Sequence, residues 1–218
     1  MRRLLKRIGL FLVLFMSIRY AMTTPGVLHT LGTGASLLAH KAQGSVPHAA
    51  QPASTSDANS SIRGTPTISA QHIDIILAAY HSPAAGLGQD IFNLGVQYGI
   101  DPIHVLAIFL HESSMGTSGE ATKTMSPGNE RCIKDRPCVD QDRGGYAQME
   151  SWQDGFAHLF SLLSDGYIKG HVSSKCPCVT ISQIVPVFAP SADGNDVQAY
   201  IQDWVRAVQA WRSMEVLV

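Results

Sequence analysis

Apolar positions recur at helical spacing over most of the chain beyond residue 68. In ISAQHIDIILAAY, Ile73, Ile76, Leu77 and Tyr80 fall at i, i+3, i+4 and i+7, one face of a helix. HSPAAGLG interrupts the pattern. QDIFNLGVQYG resumes it with Ile91, Leu94, Gly95 and Tyr98, and Gly99 supplies a stop. The next stretch, DPIHVLAIFLHESSMGTSG at 101–119, is different. Ile103 and the run from Val105 to Leu110 are apolar around nearly the whole circumference, as in a helix buried on every side. Asp101 suits the N-cap, and Pro102 sits first in the helix, where a missing N–H costs nothing. Gly116 and Gly119 are expected to close the segment.

From Glu120 to Gly145 periodicity disappears. EATKTMSPGNERCIKDRPCVDQDRGG is polar and rich in turn formers, and it predicts a long loop or short β-hairpin. An insert of this length inside a compact domain usually carries binding or catalytic groups. Ser151 then opens a helix, with Asp154 at the capping-box position and an apolar stripe of Trp152, Phe156, Leu159, Phe160, Leu163 and Tyr167. After the loop KGHVSSKCPC, Thr180 and Gln183 cap a short helix, TISQIVPVF, which Pro186 is expected to interrupt. APSADGN leads to a last helix with Val197, Ile201, Trp204, Val205, Val208 and Trp211 on one stripe. The aromatic stripes are read as core. The pattern predicts a mainly α domain over 68–215 with one irregular or β-hairpin lobe.

The first 67 residues follow other rules. Arg2, Arg3, Lys6 and Arg7 precede an apolar run from Ile8 to Ile18, the outline of an export signal. No clean small-x-small cleavage site follows, so residues 1–22 are a signal peptide or a membrane anchor. Residues 23–67 carry Gly, Pro, Ser, Thr, Ala and His without period, and predict a disordered linker. The protein is thus expected to be secreted, or anchored to the outer face of the cytoplasmic membrane through that segment alone.

Charge narrows the partners. The 218 residues hold 16 Lys and Arg against 17 Asp and Glu, a net charge of -1, which excludes a dedicated nucleic-acid binder with a basic face. One core and appendages fit the length, and a monomer is expected. All four cysteines, Cys132, Cys138, Cys176 and Cys178, lie in the two loops. Neither C-x5-C nor C-x-C has zinc-site spacing, and export favours disulfides. Because Cys176 and Cys178 are close in sequence, two bridges joining the loops are expected, with partners undetermined. No metal or cofactor is expected.

Glu112 is the candidate for chemistry. A carboxyl at the C-terminal end of a core helix faces the negative end of the helix dipole and partial desolvation, and both raise its pKa. A carboxylic acid that keeps its proton near neutrality can act as a general acid toward a glycosidic oxygen. The plainer alternative is a Glu that reaches water where the helix ends.

YGIDPIHVLAIFLHESSMGTSGEATKTMSPGN resembles the active-site segment of the lysozyme-like glucosaminidases. These form the mannosyl-glycoprotein endo-β-N-acetylglucosaminidase-like group, glycoside hydrolase family 73. Glu112, Ser113, Gly116, Thr117 and Ser118 match its E-S-x-x-G-T-S motif, and Gly128-Asn129 falls where its Asn-rich loop is expected. GGYAQMESWQDGF and FAPSADGNDVQAYIQDW are similar to two later segments, in the right order, so the resemblance spans roughly residues 70–212. It implies a lysozyme-like α-helical domain that cleaves β-1,4 bonds of peptidoglycan at N-acetylglucosamine, with Glu112 as the acid. Tyr146 and Tyr200 would line the cleft. Ser113, Asn129 and Gln148 are further substrate-binding candidates, although Ser113 is equally suited to holding the backbone.

The chain departs from the family in its shortened lobe. A second carboxylate is expected about 5–9.5 Å from the first, across the scissile bond. Glu120, Glu130, Asp135, Asp140 and Asp142 are available without a decisive match, and Glu130, Asp140 and Asp142 are the candidates retained. Two alternatives accompany the hydrolase reading: a lytic transglycosylase on the same glycan strands, and a non-catalytic cell-wall glycan-binding module.

Overall fold

The computed structural model describes residues 55–217. The expected signal or anchor at 1–22 and the first part of the expected linker, 23–54, lie outside the described residues. Part of the remaining linker belongs to the packed body. Ile62 is fully buried; its N–H donates to the Val179 carbonyl at 2.8 Å and its carbonyl accepts from the Asp101 N–H at 3.0 Å. A single apolar residue among polar ones makes no period, so this anchor point left no pattern to read.

The described residues form a mainly α domain. The helices are α1 (Thr55–Ala58), α2 (Ala70–Ala79), α3 (Gly88–Tyr98), α4 (Pro102–Ser113), α5 (Ala121–Thr124), α6 (Trp152–Ser161), α7 (Ile181–Phe188) and α8 (Val197–Arg212). Caps fall where the side chains demand them. Ser69 and Ser151 accept from the backbone of α2 and α6, and Gly99 ends α3 in the left-handed region. Thr180 and Gln183 form a full capping box on α7, which runs on through Pro186 to Phe188.

Helix α4 is the hub of the core, with every residue from Pro102 to Phe109 buried. Each large apolar side chain so placed contributes about 1.5–3 kcal/mol. Phe109 meets Phe156 edge to face and Trp152 at a tilt, both with centroids at 5.2 Å, which joins α4 to α6. On the other side, Trp204 Nε1 of α8 donates to His104 Nδ1 at 3.0 Å. Burial pushes His104 down to about 4, so the imidazole is neutral and free to accept. At the start of α4, Asp101 caps Ile103 and also takes Thr67 and Arg212, the latter at 3.1 Å. These two ties set the register of α8 along α4.

The end of α4 differs from expectation. Ser114, not a glycine, is the first left-handed residue (φ 49°), followed by Met115 (φ 58°) and Gly116 (φ 82°). Met115 is fully buried, and its carbonyl accepts from Ser82 Oγ at 2.7 Å, so packing holds a turn that local preference opposes. At Gly116 any side chain would strike Trp152 and Phe109 at under 3 Å.

The lobe contains α5 and a two-stranded antiparallel hairpin, β1 (Cys138–Val139) with β2 (Tyr146–Ala147), pairing Cys138 with Ala147 and Val139 with Tyr146. The disulfides of the lobe and of the loop before α7 overturn the expected inter-loop bridges. Cys132 pairs with Cys138 and Cys176 with Cys178, at Cα separations of 5.3 and 4.6 Å, both inside the ordinary bonding range. The Cys176–Pro177 peptide is cis, and the chain doubles back between the two sulfurs. Each bridge therefore staples one loop to itself. Disulfides persist in oxidising surroundings, which fits an exported chain. Among the described residues, no helix is long and apolar enough to cross a membrane.

Candidate active site

Glu112 occupies the last turn of α4, where the helix emerges from the core at the edge of a cleft of about 500 Å³. Burial pushes its carboxyl above the ordinary carboxylate value. Two hydrogen bonds act in the opposite direction. Tyr200 Oη donates to Oε1 at 2.9 Å, and Asn129 Nδ2 donates to Oε2 at 3.3 Å. Asn129 Nδ2 also reaches the Glu112 carbonyl at 2.7 Å, so the left-handed Asn129 (φ 47°) pins the lobe to the end of α4.

Tyr200 lies behind the acid rather than along the cleft. It is 1% exposed, and its own pKa is raised well above the ordinary phenol value, by burial first and by the adjacent Glu112 second. A neutral phenol keeps its hydroxyl hydrogen, and here that hydrogen is donated to Glu112. The expected cleft-lining role of Tyr200 is thus replaced by one in holding Glu112.

The remaining sequence candidates separate clearly. Asn129 and Tyr146 line the cleft, and Tyr146 carries the Arg131 guanidinium over its ring at 4.8 Å. Ser113 does not: it is buried, donates to the Phe109 carbonyl at 3.1 Å and accepts from Gly116 N–H at 2.9 Å. Its hydroxyl is consumed in building the turn. Gln148 is not among the cleft residues, and its backbone N–H pairs with the Pro137 carbonyl at 2.9 Å.

Of the three candidate second carboxylates, Glu130 lines the cleft with Glu112. Its side chain is 7% exposed, and Oε2 stands 2.7 Å from His158 Nδ1. That contact raises the imidazole pKa, which favours the protonated form of His158. Glu130 Oε1 has no partner among the described residues, and neither has Asn129 Oδ1. Both atoms are shielded from solvent, so two neighbouring acceptors are buried without a partner behind the cleft wall. Asp140 is engaged outside the cleft with Lys123 at 2.9 Å and Arg143 at 3.0 Å, and Asp142 is exposed in the hairpin turn.

Sequence reasoning missed several cleft residues. Leu162 and Tyr167 reach the cleft from a π-helical turn, Leu162–Ile168, that continues α6. Tyr167 fitted the core stripe by spacing, and only the wider turn carries it to the cleft. Asp193 and Asn195 face the cleft from the segment before α8, which had the composition of a plain loop. His158, on the half-polar face of α6, gave no signal without Glu130 beside it. Among the described residues, no group of three or more His, Cys, Asp or Glu side chains could hold a metal ion.

The chain matches no protein-family model, and no curated protein matches it.

Proposed function

We propose that this protein is an exported peptidoglycan hydrolase, built on a lysozyme-like helical domain, that cleaves β-1,4 bonds at N-acetylglucosamine. The observation that carries the reading is a buried carboxyl held by two donors at the edge of an open cleft. The likeness of residues 70–212 to glycoside hydrolase family 73 supports the substrate class. Balanced surface charge suits glycan strands, and no cofactor is needed.

In this reading Glu112, whose hold on its proton is strengthened by burial, gives that proton to the glycosidic oxygen as the C1–O bond breaks and the bonding pair stays on the departing oxygen. Glu130 is the second carboxylate. His158 stands beside one of its oxygens, and from its place in the cleft wall the carboxylate takes a proton from the water that attacks C1. This pair favours hydrolysis over the internal ring closure of a lytic transglycosylase.

The test is digestion of purified peptidoglycan by the full-length protein, read by mass spectrometry. New reducing ends at N-acetylglucosamine are expected. Anhydro ends would convert the reading to a transglycosylase. Equal behaviour of wild type and Glu112→Gln, with both still bound to the wall, would leave a glycan-binding module.

A further inference from the structure

We propose that His111 is a positioning residue: its imidazole, stacked on Tyr200, holds the phenol hydroxyl on Oε1 of Glu112. The inference rests on the reading of Glu112 as the acid and adds to it a group that touches neither substrate nor carboxyl.

The stacking geometry carries the proposal. The His111 and Tyr200 rings lie nearly parallel, 16° apart, with centroids at 3.6 Å, closer than the usual 4.5–7 Å of aromatic pairs. The other ring contacts of Tyr200 among the described residues are of another kind. Phe188 stands perpendicular at 6.5 Å, and Trp204 is tilted at 6.2 Å. A phenol displaces its oxygen chiefly by swinging across the plane of its ring. His111 blocks that swing on one face.

The surroundings of His111 fit such a role. Its Nδ1 is 3.6 Å from Oδ2 of Asp203, one turn beyond Tyr200 on α8, and Arg206 approaches Asp203 in turn at 3.4 Å. Burial, the largest influence, pushes the imidazole below its ordinary value, while Asp203 opposes this. At neutral pH the ring on Tyr200 is therefore uncharged. Beyond His111 is a second cavity of about 370 Å³, lined also by Leu110, Asp203 and Arg206. Truncating His111 would enlarge this space while the α4–α8 core contacts remain.

The side chains bonded to Glu112 are Tyr200 and Asn129, and the charged and titratable groups that share its cleft are Glu130, Arg131, Tyr146, Tyr167 and Asp193. Because the Tyr200 bond lowers the Glu112 pKa, losing that bond must raise it. The experiment follows the Glu112 carboxyl by carbon NMR through a pH titration of the full-length protein. Wild type is compared with His111→Ala, Tyr200→Phe, the double variant and His111→Phe. The midpoint should rise in His111→Ala and in Tyr200→Phe, rise no further in the double variant, and return in His111→Phe. An unchanged midpoint in His111→Ala, or a rise that adds to that of Tyr200→Phe, overturns the proposal. Should His111→Ala not fold, His111→Leu supplies the same comparison with a filler that has no planar ring. In turnover, His111→Ala should lower kcat about tenfold with KM unchanged. Failure of wild type to release sugar ends would sink the hydrolase reading, whereas the NMR titration judges His111 either way.

Discussion

The two walls that meet at Glu112 are built on opposite terms. The helical wall presents one carboxyl from the end of a helix whose first eight residues are all buried, clamped by Tyr200 from α8. The lobe wall presents Asn129, Glu130, Arg131 and Tyr146 from backbone with only two two-residue strands. Its order comes from a disulfide, a set of exposed ion pairs around Glu120 and Arg143, and the bidentate Arg136–Asp154 pair that ties it to α6. The lesson is a division of labour. Apolar packing fixes where the acid is, and polar contacts fix what stands opposite it.

Substitutions can break this comparison, beginning with the acid itself. Glu112→Gln should lower glycan cleavage by about 10²–10⁴-fold, measured as release of reducing ends. The same change should stabilise the fold. Because the native pKa is raised, the wild-type carboxyl costs nothing below its ordinary value and destabilises progressively as pH rises through the native one. Thermal melts of Glu112→Gln should therefore match wild type in acid and exceed it near neutrality. Next, Trp204→Ala on the helical side should cost about 3–5 kcal/mol in urea unfolding, since it empties a fully buried site and strips His104 of its donor.

The lobe should respond more gently. Replacing Cys132 and Cys138 together by Ser removes a bridge that spans only six positions, so loop-closure entropy accounts for about 2 kcal/mol. The effect should appear as a raised KM before it appears as unfolding. The smallest effect is expected from His158→Gln. The imidazole pKa is raised by Glu130, so its stabilising contribution is complete below the ordinary imidazole value and is lost as pH rises through the native one. Urea midpoints of the wild type should fall across that interval, and those of His158→Gln should not.

What could be read from the sequence divides along the same line. The helical wall was legible because burial imposes period: the stripes of α2, α3, α6 and α8, the all-round burial of α4 and the Asp101 and Ser151 caps are each local consequences of side-chain chemistry. Glu112 stood out because it follows such a helix. The lobe wall obeys no period, so Glu130, Asp140 and Asp142 looked alike on paper. What separates them is a contact with a residue 28 positions away, His158, and another between Asp140 and Lys123. The disulfide pairing differs from expectation for a related reason: proximity in sequence reads as an obstacle, while the backbone brings Cys176 and Cys178 within bonding distance. Tyr200 and His111 were visible as residues, but their stacking depends on the register of α8 along α4, which no local rule encodes.

The reversal at Ser114, Met115 and Gly116 bears on any attempt to transplant this acid. Three successive left-handed residues carry the chain off the helix axis, and the Ser113 hydroxyl that α4 itself provides secures them only in part: Ser82 before α3 and Trp152 at the start of α6 supply the rest. A designer who grafted only the motif of α4 onto another helical scaffold would obtain a helix that simply continues, with its carboxyl alongside a further turn and no groove before it. The portable unit is the acid together with its two outside supports, Ser82 and Trp152, a set scattered over some seventy positions of the chain.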